Sequence, residues 1–211
     1  AGTVRRNKLS DFTNVKSNGK IAMKFEGEHE GTTLINARIA SNDDDVMLVT
    51  DAGRAIRFPA TDVRVFNSRN STGVRGVKLA NGDEVVSMSV IRHFEAESDE
   101  RASYLKMRRA MAGLADDAEA ASDDDEGNAD SLLSAERYAE MSAAENLLLT
   151  ITAKGLGKLS SSHDYPIRGR GGMGVTAWEK SMRGGEIVAS FPVEMEDQIM
   201  LAPSTGQSIR V

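Results

Sequence analysis

Cysteine is absent from all 211 residues, which excludes a disulfide scaffold and any thiolate metal site and suits a reducing compartment. The three histidines, His29, His93 and His163, are too scattered to form a metal cluster by spacing. Aromatic residues make up only 5%, and prolines number 4. No apolar run reaches the roughly 18 residues that a membrane-spanning helix needs. No signal peptide opens the chain, and no Walker A sequence occurs. Glycine, by contrast, is abundant at 19 residues and predicts many tight turns. With 40% apolar and 27% charged residues, the composition is that of a globular chain with a sizeable core.

The net charge of -6 is unevenly distributed. Residues 92–145 carry 6 basic and 15 acidic side chains, a net of -9, so the rest of the chain is mildly basic at +3. Asymmetry of this kind bears on partners rather than on fold.

Outside that acidic segment the chain repeats itself. A turn glycine recurs at Gly2, Gly53, Gly155 and Gly206, at steps of 51, 102 and 51. Apolar runs precede it, as in Val46–Thr50, Leu147–Thr152 and Ile199–Leu201. An Asp and then an apolar residue stand nine and ten positions after the first three of these glycines, at Asp11-Phe12, Asp62-Val63 and Asp164-Tyr165. Each module continues through a glycine loop to a strand-like run, at Ile21–Phe25, Val74–Leu79 and Val175–Trp178. Last strands are expected at Leu34–Ile39, Val85–Ile91 and Ile187–Val193. About four short strands per ~50 residues suits a propeller-type blade. One such sheet cannot bury both of its faces, so neighbouring modules must cover it. The pattern predicts an all-β fragment of a propeller or pinwheel of four-stranded blades, continuing beyond both ends. Its parts are a partial blade at 1–40, blades at 41–91 and 146–193, and the start of another at 194–211.

The doubled step is one module plus an insertion at 92–145. Residues 98–114 read as a helix, with Ser98 as its cap, Asp99 and Glu100 in the first turn, and Ala102, Leu105 and Leu114 on one stripe. Residues 115–130 are acidic and small, a composition expected to be disordered, and 131–145 are again rich in helix formers. A helical hairpin in a loop between two blades is the expectation. Such a segment, tethered beside basic loops, either competes with an anionic partner or is a solvated spacer.

Most motifs fail on context. Gly169–Gly174 matches the dinucleotide spacing, but a strand-like run follows it where a helix should. The Asp123–Gly127 run has Leu133 where a calcium loop needs Glu. Asn70-Ser-Thr72 matches a glycosylation acceptor in a chain with no other sign of secretion. No catalytic site and no metal site emerges.

The basic residues recur at matching places. Arg5 and Arg6, Arg54 and Arg57, and Lys158 follow the turn glycines. Lys16 and Lys20, then Arg69, Arg75 and Lys78, then Arg168 and Arg170 surround the second glycine loops. On equivalent faces of successive blades they would form a positive track suited to the phosphate backbone. On strand edges they would instead block edge pairing.

Residues 1–91 and 146–211 resemble a known family. Gly53-Arg-Ala-Ile-Arg-Phe58, Asn70–Leu79, Gly82-Asp-Glu-Val-Val86 and Asp197-Gln-Ile-Met200 are similar to the C-terminal domain of the DNA gyrase A subunit. The insertion resembles one found in alphaproteobacterial members, and the homologous topoisomerase IV domain ranks second. The resemblance implies a pinwheel that wraps duplex DNA around a positive rim, with no catalytic residue in this chain. It also implies a cytoplasmic, nucleoid-associated holoenzyme, an A2B2 heterotetramer of two gyrase A and two gyrase B subunits. ATP and Mg would be bound outside this chain. Residues 168–174 echo the family's signature box without its Gln, one Arg and its Lys, and are read as a degenerate repeat. A propeller that binds other proteins is the alternative, although no WD or kelch signature is present.

Overall fold

The computed structural model describes residues 1–113, 133–179 and 184–211. Its centre is a hairpin of β2 (Asp44–Thr50) and β3 (Arg54–Pro59), preceded by the short β1 (Thr3–Val4). Side chains alternate across a strand. In β2, Met47 and Val49 therefore enter one apolar cluster, and Val46 and Leu48 enter another on the opposite face. Both faces are covered, as a stacked blade requires.

The fourth strand of this blade comes from a different part of the chain than the repeat suggested. β4 (Val74–Arg75) leaves its own module and pairs with β1. β5 (Val85–Arg92) returns to pair with β2. The edge partner of β3 is β8 (Val175–Thr176), from the next module, which gives the order β5-β2-β3-β8. The two donations are register-equivalent: Thr3 faces Arg75 as Arg54 faces Thr176. Strand structure in Val74–Leu79 and Val175–Trp178 is thus confined to the first two residues of each run.

β6 (Leu147–Thr152), β7 (Gly157–Ser161) and β9 (Ile187–Val193) form the second sheet in the order β7-β6-β9. Each central strand carries a register shift at the same repeat position, Val49/Thr50 in β2 and Ile151/Thr152 in β6. The two sheets meet through Met47, Val49, Ile91, Leu148, Tyr165, Trp178 and Ile187. A last hairpin joins β10 (Met200–Leu201) to β11 (Ile209–Arg210), again around a turn glycine.

The runs Ile21–Phe25 and Leu34–Ile39 do not form the expected strands. The register explains this. Leu34–Ile39 corresponds in the repeat to β5, but among the described residues no strand pairs with it as β2 pairs with β5. Without a central partner the backbone cannot close a ladder.

Among the described residues the insertion holds two helices, α1 (Ser98–Met111) and α2 (Ala135–Ala144). Glu97, rather than Ser98, caps α1, in a reciprocal capping box with Glu100. The expected stripe is also displaced, because Ser103 and Tyr104 are the buried residues. The Tyr104 ring stacks on Tyr138 and meets His163 edge-on, each at 4.9 Å between centroids. His163 Nε2 donates to the Met141 carbonyl of α2 at 2.8 Å. Both helices are therefore docked on the turn Ser162–Asp164. The stretch expected to be disordered, 115–130, lies outside the described residues.

Candidate nucleic-acid interface

Successive modules are joined at a seam that two glycines make possible. The Gly53 carbonyl accepts from Ala177 N at 2.8 Å and Trp178 N at 3.2 Å. The Gly2 carbonyl does the same with Gly76 N and Val77 N, also at 2.8 and 3.2 Å. Gly53 has φ of +92°, and a Cβ there would lie 2.1 Å from the Trp178 carbonyl oxygen. Gly174 faces it across the seam, where a Cβ would lie 2.2 Å from the Ala55 carbonyl. Only glycine permits both the backbone turn and this approach.

The seam places two loops side by side. Gly171 N donates to the Gly76 carbonyl at 2.7 Å, and Lys78 N donates to the Gly172 carbonyl at 2.8 Å. Arg170 locks the pair, donating to the Arg75 carbonyl at 2.7 Å and the Asp62 carbonyl at 3.2 Å. Arg54 holds the same loop from the other side, through Gly174 O at 2.6 Å and Thr176 Oγ1 at 2.9 Å. Arg75, Lys78 and Arg168 are exposed around this junction. Among the described residues their side chains have no hydrogen-bond partner. The backbone between them is open, since a Cβ at Gly169 would meet nothing within 4 Å. An exposed cluster of cations beside an open backbone loop can meet a phosphate closely.

The other candidate cations have different surroundings. Arg5, which stands two places further along its module than Arg54, holds the loop of the first seam, donating to Asn7 Oδ1 at 2.8 Å and to the Arg69 and Ser71 carbonyls. Partial burial, and secondarily the charge of Arg69, lower the pKa of Arg5. Arg69 donates to the Ile21 carbonyl at 2.8 Å and Arg6 to Asn42 Oδ1 at 2.8 Å. Lys20 donates to the Thr13 carbonyl at 3.0 Å, while Lys16 is exposed in the same loop. Lys158, half-buried in β7, lies near the Asp164 carboxylate.

Arg57 is not on a rim. Its side chain is 2% exposed, and its Nε donates to Asp45 Oδ2 at 2.7 Å, with the Asp45 side chain fully buried. Its remaining donors reach the carbonyls of Ser162 at 2.9 Å, Arg92 at 3.0 Å and Tyr165 at 3.4 Å. Burial lowers the Arg57 pKa, and Asp45 opposes that shift. His93 Nδ1 meets the second Asp45 oxygen at 2.7 Å. Arg57 thus joins the two blades. A signal for this was present in the alternation: Asp45 shares the phase of Met47 and Val49, on the face that meets the second sheet.

One cation beside the seam carries no signal in the sequence. Burial, and secondarily the charges of Arg168 and Arg57, lower the pKa of Arg101 in α1. No spacing links Arg101 to Arg168, because the docking of α1 brings them together.

The family described as DNA gyrase C-terminal domain, beta-propeller, matches residues 1–32, 44–92 and 146–192, leaving the insertion outside. The DNA gyrase A subunit of Granulibacter bethesdensis is 47% identical over 222 residues, covering 100% of this chain and 23% of the relative. That of Rickettsia bellii is 37% identical over 215 residues, covering 99% and 22%. The chain thus spans less than a quarter of the length of these relatives, and the alignments run through the insertion. The crystal structure of the C-terminal domain of DNA topoisomerase IV is similar with a TM-score of 0.66 at 15% identity, covering 100% of this chain and 49% of that one. The structure of the DNA gyrase A C-terminal domain has a TM-score of 0.50 at 16% identity, covering 98% and 47%. At these identities the likeness is one of fold.

Proposed function

Because the chain belongs to the DNA gyrase C-terminal domain family, we propose that it is the part of the gyrase A subunit that binds and wraps duplex DNA. The seam between the two blades carries this reading: Arg75, Lys78 and Arg168 stand exposed around an open glycine loop that Arg54 and Arg170 hold in place. Lys16, Lys20, Arg69 and Lys158 are further contacts on the same path, while Arg5 and Arg6 support the first seam. Bending a short DNA site costs several kcal/mol, so phosphate contacts on successive modules must offset it. Contacts of this kind are largely independent of sequence.

In the holoenzyme this wrapping supports ATP-dependent negative supercoiling by a type IIA topoisomerase in the cytoplasm, on the nucleoid. Its partners are two gyrase B subunits together with a second copy of gyrase A, in an A2B2 assembly. ATP and Mg are held outside this chain. The chain contributes DNA geometry and no catalytic residue.

The test is binding to mixed-sequence duplex DNA across a salt series. The logarithm of the affinity falls with the logarithm of salt, with a slope of about -0.9 per phosphate contacted. R75Q combined with K78Q is expected to reduce that slope by about two contacts. An unchanged slope in a folded variant sinks the assignment of these residues. Failure of the folded chain to constrain supercoils in relaxed plasmid sinks the wrapping role.

A further inference from the structure

The two seams are built alike, with one exchange of side chains. Val65 forms a parallel bridge to Arg6, as Ile167 does to Arg57. Phe66 N donates to the Arg6 carbonyl at 2.7 Å, as Arg168 N does to the Arg57 carbonyl at 2.8 Å. Arg6 and Arg57 each stand four places after a turn glycine, Gly2 and Gly53, so Phe66 and Arg168 hold the same place at successive seams. The second seam has an exposed arginine at that place, and the first has a phenylalanine that is 5% exposed.

Arg64 supplies the missing cation. Its guanidinium carbon lies over the Phe66 ring, 3.9 Å from the centroid. The backbone that carries the ring is fixed twice, by the bond to the Arg6 carbonyl and by Asn7 Nδ2, which donates to the Phe66 carbonyl at 2.8 Å. A cation is drawn to the face of an aromatic ring. Stacking uses the flat face of the guanidinium and leaves the N–H groups on its edge available. Arg64 is exposed, and among the described residues its side chain has no hydrogen-bond or ion-pair partner. Arg5, Arg54 and Arg170, by contrast, are spent on carbonyls of the loops they hold. The segment that bears Arg64 is also tied to the glycine loop of the second seam, because the Asp62 carbonyl accepts from Arg170 Nε at 3.2 Å. The repeat gives no hint of Arg64, since its counterpart in the next module is Pro166.

We propose that Arg64, held flat by the Phe66 ring, binds a phosphate of the duplex DNA backbone and serves the first seam as Arg168 serves the second. This rests on the DNA-binding reading above and adds a contact that the repeat of basic residues did not reveal. A guanidinium already ordered by stacking loses little side-chain freedom on binding, and its fork suits two phosphate oxygens. The ring makes Phe66 a positioning residue, while Arg64 makes the contact.

The experiment uses the intact chain and measures affinity for mixed-sequence duplex DNA across a salt series. Loss of one phosphate contact lowers the slope by about 0.9, which is the result expected for R64Q. R64K keeps the charge without the planar fork, and is expected to keep the slope while binding more weakly. F66L keeps the arginine and removes the ring, so it should also keep the slope and weaken binding severalfold. An arginine that only shields the ring from water predicts otherwise, with a lower melting temperature in R64Q and no change in slope. An unchanged slope in R64Q, while R75Q combined with K78Q still lowers it, overturns the inference and leaves the DNA-binding reading standing. Unchanged affinity in F66L overturns the part assigned to the ring. If the folded chain binds no DNA, both readings fall. A second arm maps arginine modification by phenylglyoxal in the unsubstituted chain, so it does not depend on a variant folding. Protection of Arg64 by duplex DNA supports the contact, and modification of Arg64 that DNA does not slow overturns it.

Discussion

Replacing Arg57 by Met separates a structural role from a DNA-binding one. The substitution removes the 2.7 Å ion pair to Asp45 and the bonds to the carbonyls of Ser162, Arg92 and Tyr165. Asp45 stays fully buried with His93 as its remaining partner. Breaking a buried pair by removing one member costs about 3–5 kcal/mol. The Met side chain fills most of the vacated volume, which limits any cavity cost. A loss of about 4 kcal/mol lowers the melting temperature of a chain this size by about 8–16 °C. Changing Asp45 to Leu as well removes the stranded charge, and D45L/R57M is expected to recover part of the loss. Thermal unfolding followed by circular dichroism measures both. The salt slope of DNA binding, taken well below the transition, should stay as in the unsubstituted chain. A variant that melts within a few degrees of it, yet loses about one phosphate contact from the slope, would refute the burial argument.

Other perturbations probe the seam and the docking of the insertion. Gly53→Ala places a Cβ against the Trp178 carbonyl and is expected to cost several kcal/mol, whereas Gly155→Ala, with φ of +80° but nothing within 4 Å, should cost only about 1 kcal/mol of backbone strain. Equal losses in chemical denaturation would mean that the seam tolerates separation. His163 is buried against Tyr104, and desolvation lowers its pKa below 6.5, with Arg57 and Arg101 adding to that while the Met141 carbonyl and Glu145 oppose it. The unfolded chain therefore binds the proton more readily, so stability is full above pH 6.5 and falls as pH drops below it. Melting curves from pH 7.5 to 5 should show this decline, and H163Q should flatten it. Tyr104 and Tyr165 are pushed up to about 12 by burial. Because the unfolded chain ionises near pH 10, stability should fall above that value, and tyrosinate absorbance at pH 11 should rise sharply only on unfolding. A full tyrosinate signal from folded protein at pH 11 would contradict their burial.

Much of the fold was legible because a repeat is a one-dimensional signal. The turn glycines, the alternation in Val46–Thr50 and the doubled step pointed to repeated β-modules and an interruption between them without any knowledge of contacts. The residues that set α1 in place were harder to read. The helix is weakly amphipathic, so the stripe of Ala102 and Leu105 was as plausible as the face of Ser103 and Tyr104 that is buried. The capping residue was misplaced by one for a related reason: Glu97 and Ser98 can both cap, and the reciprocal bond with Glu100 selects the first. Among the candidate cations, sequence position separated neither the clamps Arg5, Arg54 and Arg170 from the exposed Arg75, Lys78 and Arg168, nor either group from the buried Arg57.

Local chemistry in the sequence by itself determined where strands turn, which modules correspond, and that an acidic helical segment interrupts them. Tertiary structure alone decided which strand completes which sheet. β8 belongs by sequence to the second blade but closes the edge of the first, because the Gly53 carbonyl and the Gly174 approach offer it a partner there. The fate of each arginine was settled the same way. Position in the sequence does not tell one guanidinium from another. Whether it holds a carbonyl, a buried carboxylate or a phosphate depends on which backbone the neighbouring module brings within reach of it.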